Sequence, residues 1–154
     1  MSKRTALTVL SGVLLVSSLT LTGCDSIDLT PLEDNPAAPG TQVEQINVAE
    51  DTNTKTDIAS IAEAEALNFA TTEEYFTDIA AVQAEGNVRF ALSGSATAIV
   101  ITASDSNYII TAVSQTGKVF VRTGDAATIT EYADVAAYNA APSPVDGLDK
   151  PVVG

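Results

Sequence analysis

Histidine and tryptophan are absent from this chain, and it contains one cysteine, one methionine and 7 basic residues. Without histidine, the Ser-His and Cys-His pairs of nucleophilic catalysis and the usual His-zinc sites cannot be assembled. A single cysteine excludes an internal disulfide. Against 20 acidic residues the formal net charge is −13, and such a chain repels a phosphate backbone, so nucleic acid is not an expected partner. No Gly-x-Ser-x-Gly motif occurs, which removes the nucleophile elbow of serine hydrolases. What is present fits one small folded domain: 154 residues, 45% of them hydrophobic and 18% charged.

Lys3 and Arg4 are the only basic residues before Lys55, and the stretch Ala6–Leu21 is uncharged and largely apolar. A basic start, an apolar run and small residues after it make a secretory signal. A permanent transmembrane helix needs about 20 apolar residues. Thr5–Cys24 reaches that length only by counting Thr, Ser and Gly, and the flank beyond it is acidic (Asp25, Asp28). The signal ends in Leu21-Thr22-Gly23-Cys24, which resembles the lipobox of bacterial lipoproteins. The resemblance implies cleavage between Gly23 and Cys24 and a diacylglyceryl group on Cys24. Two acyl chains, at roughly 0.8 kcal/mol per buried CH₂, give stable membrane attachment where one chain is marginal. Cys24 is then an anchor to the extracytoplasmic face of the cell membrane and not a redox or nucleophilic thiol. Loss of Lys3 and Arg4 with the signal leaves the remainder more acidic still.

The expected organisation is a signal peptide at 1–23, a lipidated, flexible acidic linker at 24–51, an α+β domain at 52–141 and a disordered tail at 142–154. Pro31, Pro36, Pro39 and Gly40 break any period in the linker, which spans at most about 90 Å extended and roughly 30 Å as a coil. From Thr54, the residues Ile58, Ile61, Ala62, Ala66, Phe69 and Ala70 fall at helical spacing, with Asp51, Thr52 or Thr54 as candidate caps. Thr71 and Glu74 stand at capping-box spacing. They predict a break and a second, shorter helix ending before Gly86, with Tyr75, Phe76, Ile79 and Val82 buried. Alternating or β-branched runs follow at Val88–Leu92, Thr97–Thr102, Tyr108–Val113, Lys118–Arg122 and Thr128–Tyr132, joined by short Ser-Gly, Asp-Ser-Asn, Gln-Thr-Gly and Gly-Asp turns. Short turns join antiparallel neighbours. The predicted fold is therefore an amino-terminal helix, broken or bent, packed on one face of a four- to five-stranded meander.

A long helix followed by an antiparallel meander is also the order of type IV pilins and pseudopilins. The strings Glu65–Thr77, Ser106–Ala112 and Ser114–Phe120 resemble the helix end, the Tyr-bearing loop and the central strand pair of those proteins. The resemblance covers roughly Thr54–Tyr132 and implies a pilin-like head. In place of the apolar filament helix of pilins, this chain has the lipoprotein-type signal and a polar segment.

No catalytic residue and no metal or other cofactor is expected. Glu63 with Glu65, and Glu73 with Glu74, read as solvated or capping carboxylates, because acid–base work needs burial and partners. Asp105-Ser106-Asn107 and Gly124-Asp125 offer oxygens to calcium, as a strand loop does in some pseudopilins, but turns use the same residues. The expectation is a non-enzymatic, membrane-anchored lipoprotein whose head contacts an envelope protein. The alternative is a surface lipoprotein that binds a small ligand or calcium.

Overall fold

A computed structural model of the chain describes residues 39–84 and 91–154. The expected signal, the lipobox-like end with Gly23 and Cys24, the expected linker up to residue 38 and most of the expected strand Val88–Leu92 lie outside the described residues. The first element is a helix of 34 residues, α1 (Pro39–Thr72), about 50 Å long. It starts twelve residues before the first expected cap and overturns the flexible reading of the linker from Pro39 onward. Proline suits the first position of a helix, where its missing N–H has no partner to lose. After Gly40 neither Gly nor Pro occurs until Gly86.

Residues 40–49 are exposed, and the first buried residue of α1 is Asp51. From there Asp51, Thr54, Ile58, Ile61 and Glu65 repeat at alternating spacings of three and four and face the sheet, each 9% exposed or less. Ala66 and Ala70, expected on that stripe, are exposed. Thr54 is buried without penalty because its hydroxyl donates to the Glu50 carbonyl at 2.9 Å.

Glu73 ends α1. Its backbone takes the left-handed conformation (φ 62°) and its N–H donates to the Phe69 carbonyl at 2.9 Å, the helix stop that glycine normally supplies. The expected capping box at Thr71 and Glu74 is not formed. The second helix, α2 (Ile79–Ala84), is capped instead by Asp78, whose Oδ1 accepts the Ala81 N–H at 2.8 Å. Glu73→Gly is expected to raise stability by up to about 1 kcal/mol, since only the non-glycine residue is strained there. An unchanged or lower melting temperature would refute the strain.

Four strands follow: β1 (Ala96–Ala103), β2 (Tyr108–Ser114), β3 (Val119–Thr123) and β4 (Thr130–Tyr132). They pair antiparallel in the order β1-β2-β3-β4, the expected meander, with Ile101 opposite Ile110 and Ala112 opposite Phe120. The fold is α+β. Every residue of β2 is buried, which a sheet covered on one face cannot give. Tyr108, Ile110, Ala112 and Phe120 point to α1 and join Ile58, Ile61, Phe76 and Val82. Ile109, Val113, Val119 and Val121 point the other way, where Tyr138, Val145 and Val153 meet them.

That second layer consists of α3 (Val135–Ala140) and the carboxyl-terminal segment. It corrects two expectations at once: the single-sided sheet and the disordered tail at 142–154. Asp134 caps α3 by accepting the Ala137 N–H at 2.7 Å. Lys150 closes its other end, donating to the carbonyls of Tyr138, Asn139 and Ala141, where a cation suits the helix dipole. The Tyr138 hydroxyl donates to the Pro151 carbonyl at 2.8 Å and lies 3.3 Å from the Thr111 hydroxyl. The proline-rich tail is thus pinned to β2 through one tyrosine.

Candidate functional site

Three regions of the described residues carry polar chemistry, and α1 organises two of them. At its middle, Asp51 Oδ1 accepts from Ser114 Oγ at 2.9 Å and Thr116 Oγ1 at 2.6 Å, and its Oδ2 lies 3.2 Å from Lys118 Nζ. Lys118 also meets Glu131 at 2.8 Å, and Glu131 meets Lys55 at 2.9 Å. Burial pushes the Asp51 carboxyl up, but the two hydroxyls and Lys118 outweigh it and hold the group below its ordinary value. Nearly two turns on, Asp57 accepts the Ser93 N–H and hydroxyl. These contacts fix the helix to the β2–β3 turn, to β4 and to the segment before β1. Their acids are consumed by structural partners. Lys118 is one of those partners.

The chemical outlier is Glu65. Its side chain is 0% exposed, Oε2 accepts the Phe76 N–H at 2.9 Å, and Oε1 has no hydrogen-bond partner among the described residues. Desolvation pushes the carboxyl up to about 7, with the Phe76 N–H opposing. Around it the Phe69 and Tyr75 rings stack at 4.4 Å, and Tyr75 meets Tyr108 edge-on at 5.1 Å. Tyr108 lies under the influence of both Glu65 and Arg122, and burial raises its phenol above the ordinary value. The expectation that Glu65 is solvated is therefore overturned, while Glu63, Glu73 and Glu74 are exposed. No second carboxylate joins Glu65 to make an acid–base pair among the described residues. Nothing in the local sequence marks it: Phe76 and Tyr108, which enclose it, arrive through the chain reversal and the sheet. Beside the same connection lies an open depression of about 480 Å³, lined by Thr72–Tyr75, Thr77 and Ala103–Asp105.

The third region unites the two segments considered for calcium. Asn107 Oδ1 accepts the Tyr108 and Gly124 N–H groups at 2.8 and 2.9 Å, and Asp125 Oδ1 accepts the Thr123 hydroxyl at 2.6 Å. A Cβ on Gly124 would come within 2.7 Å of that Asn107 oxygen, which explains the glycine. These oxygens are spent on joining two turns, and among the described residues no three His, Cys, Asp or Glu side chains converge as a metal site. Two of the four tyrosines fill the core, Tyr108 at 5% and Tyr138 at 1% exposed, and Tyr75 and Tyr132 pack against it partly buried.

Outside the core, Val43, Ile46 and Val48 on the free part of α1 are 57–61% exposed. Among the described residues no helix is long and apolar enough to cross a membrane. Comparison of the chain with protein-family models, curated proteins and solved structures finds no match.

Proposed function

We propose that the chain is a non-enzymatic lipoprotein, anchored by diacylglyceryl-Cys24 to the extracytoplasmic face of the cell membrane, whose pilin-like head docks envelope proteins. The observation that carries this reading is the free first part of α1. A helix that leaves its sheet for about 18 Å (Pro39–Glu50) while exposing Val43, Ile46 and Val48 presents side chains with no use in the fold. A protruding helix, a packed second half and an antiparallel meander agree with the pilin resemblance. Between Cys24 and Pro39 the chain reaches at most about 50 Å, so the head works near the membrane it is tied to, and its negative charge holds it off an anionic surface.

Cys24→Ser is expected to move the protein from the membrane fraction into the soluble and secreted fractions. A variant that stays with membranes like the parent would sink the anchor. Photo-cross-linking residues placed at Val43 and Ile46 in intact cells are expected to capture envelope proteins from the Cys24-bearing protein. Failure to capture anything above background would set the docking role aside in favour of the ligand-binding alternative.

A further inference from the structure

We propose that Glu65 is a proton-operated latch that holds the α1–α2 connection, Glu73–Asp78, closed when protonated and releases it when ionised. The connection turns back over the end of α1, and two kinds of contact hold it. One is the Phe76 N–H on Glu65 Oε2 at 2.9 Å, together with the Asn68 amide donating to the Glu74 carbonyl at 2.9 Å. The other is the insertion of Tyr75 between Phe69 and Tyr108 and of Phe76 into the core.

Removing the proton leaves a full charge in a place water does not reach, with one amide for two oxygens. A buried charge with so few partners is costly. Of the titratable groups on the packed elements, Tyr108 of β2 feels the Glu65 charge, and Tyr75 of the connection and Arg122 of β3 act on Tyr108 in turn. The connection also carries Glu73, Glu74 and Asp78, all exposed, while α2 has no titratable side chain. Arg122 is the one cation among them, and its Nε is itself buried without a hydrogen-bond partner among the described residues. Swinging residues 73–78 outward lets water reach Glu65. It breaks the Phe76–Glu65 and Asn68–Glu74 bonds and withdraws Tyr75 and Phe76 from their contacts, but leaves α1 on the sheet. The same movement rebuilds the depression lined by Thr72–Tyr75, Thr77 and Ala103–Asp105, so the latch changes the surface there. The latch stands whether or not the chain is lipid-anchored.

The test is amide hydrogen exchange of the full chain at Phe76 between about pH 5 and pH 8, corrected for the intrinsic rate. Linkage predicts that its protection falls roughly 50-fold across that range, while amides of β2 change far less. Glu65→Gln, which keeps an acceptor for Phe76 without the charge, is expected to hold the protection constant. A flat profile in the parent, or the same fall in Glu65→Gln, overturns the latch. Should that variant misfold, carbon NMR of the Glu65 carboxyl in the unaltered protein decides instead. A midpoint near neutrality, moving together with the Phe76 amide signal, supports the latch, and a midpoint in the ordinary carboxylate range overturns it.

Discussion

Replacing Tyr138 with alanine is expected to lower the free energy of unfolding by about 3–5 kcal/mol, the range for deleting a buried aromatic ring. For a domain of this size that is a fall in melting temperature of well over 10 °C, at roughly 4 °C or more per kcal/mol. Tyr138 is 1% exposed and sits against Ile109, Val113, Val119 and Val121 of the sheet. Its ring meets Tyr132 edge-on at 5.5 Å and lies under Lys150 Nζ at 4.7 Å. Its hydroxyl reaches Thr111 and the Pro151 carbonyl. The alanine variant loses the ring, both polar contacts and the seat of Lys150, so α3 and the segment to Val153 lose their hold together. Tyr138→Phe separates the parts: it keeps the ring and loses the hydroxyl, for a cost of about 1–2 kcal/mol. Chemical denaturation of both variants gives the two numbers. If Tyr138→Ala costs under about 1 kcal/mol, the second layer does not stabilise the sheet.

Glu65→Gln is expected to stabilise the protein above neutral pH by up to about 3 kcal/mol and to flatten its stability curve. Burial lifts the folded-state carboxyl to about 7 from an ordinary 4.5. The folded chain therefore binds more protons than the unfolded chain between those values, and stability falls as pH rises. The contribution of Glu65 is fully present below about pH 4.5 and lost as pH climbs through about 7. A shift of that size corresponds to ~3 kcal/mol at 1.36 kcal/mol per unit. Asp51 has the opposite sign: its carboxyl is held below the ordinary value, so its contribution is lost only as pH falls through the acid range. Denaturation midpoints from pH 5 to pH 8 check this. A parent protein as stable at pH 8 as at pH 5, or a Gln variant with the parent's slope, contradicts it.

The strands were readable because their residues announce them. Thr97–Thr102 and Tyr108–Val113 are β-branched and aromatic, Lys118–Arg122 alternates, and the turns between carry Gly, Asn and Asp. Each lies within a residue or two of an observed strand. The second layer was also written there, though less plainly. Tyr108–Val113 is apolar at odd and even positions alike, the mark of a strand buried on both faces. The helix was harder, for a physical reason. Hydrophobic periodicity reports a face only where that face is buried among apolar groups. Residues 40–49 touch no core, so Val43, Ile46 and Val48 follow no stripe. Below them the buried stripe itself contains Asp51, Thr54, Asp57 and Glu65, and the partners of the three acids lie 11 to 65 positions along the chain, where the local sequence does not reveal them. The tail misled in the opposite way. Its prolines and Gly147 suggest fraying, but Val145, Pro151 and Val153 return to the sheet, and Lys150 ties them to α3.

Lipid attachment of the head is the central claim, and the intact mass of the protein extracted from membranes with detergent tests it most directly. The account predicts a chain that begins at Cys24 and bears a diacylglyceryl thioether there. A chain that still begins at Met1, or an unmodified thiol at Cys24, would contradict it.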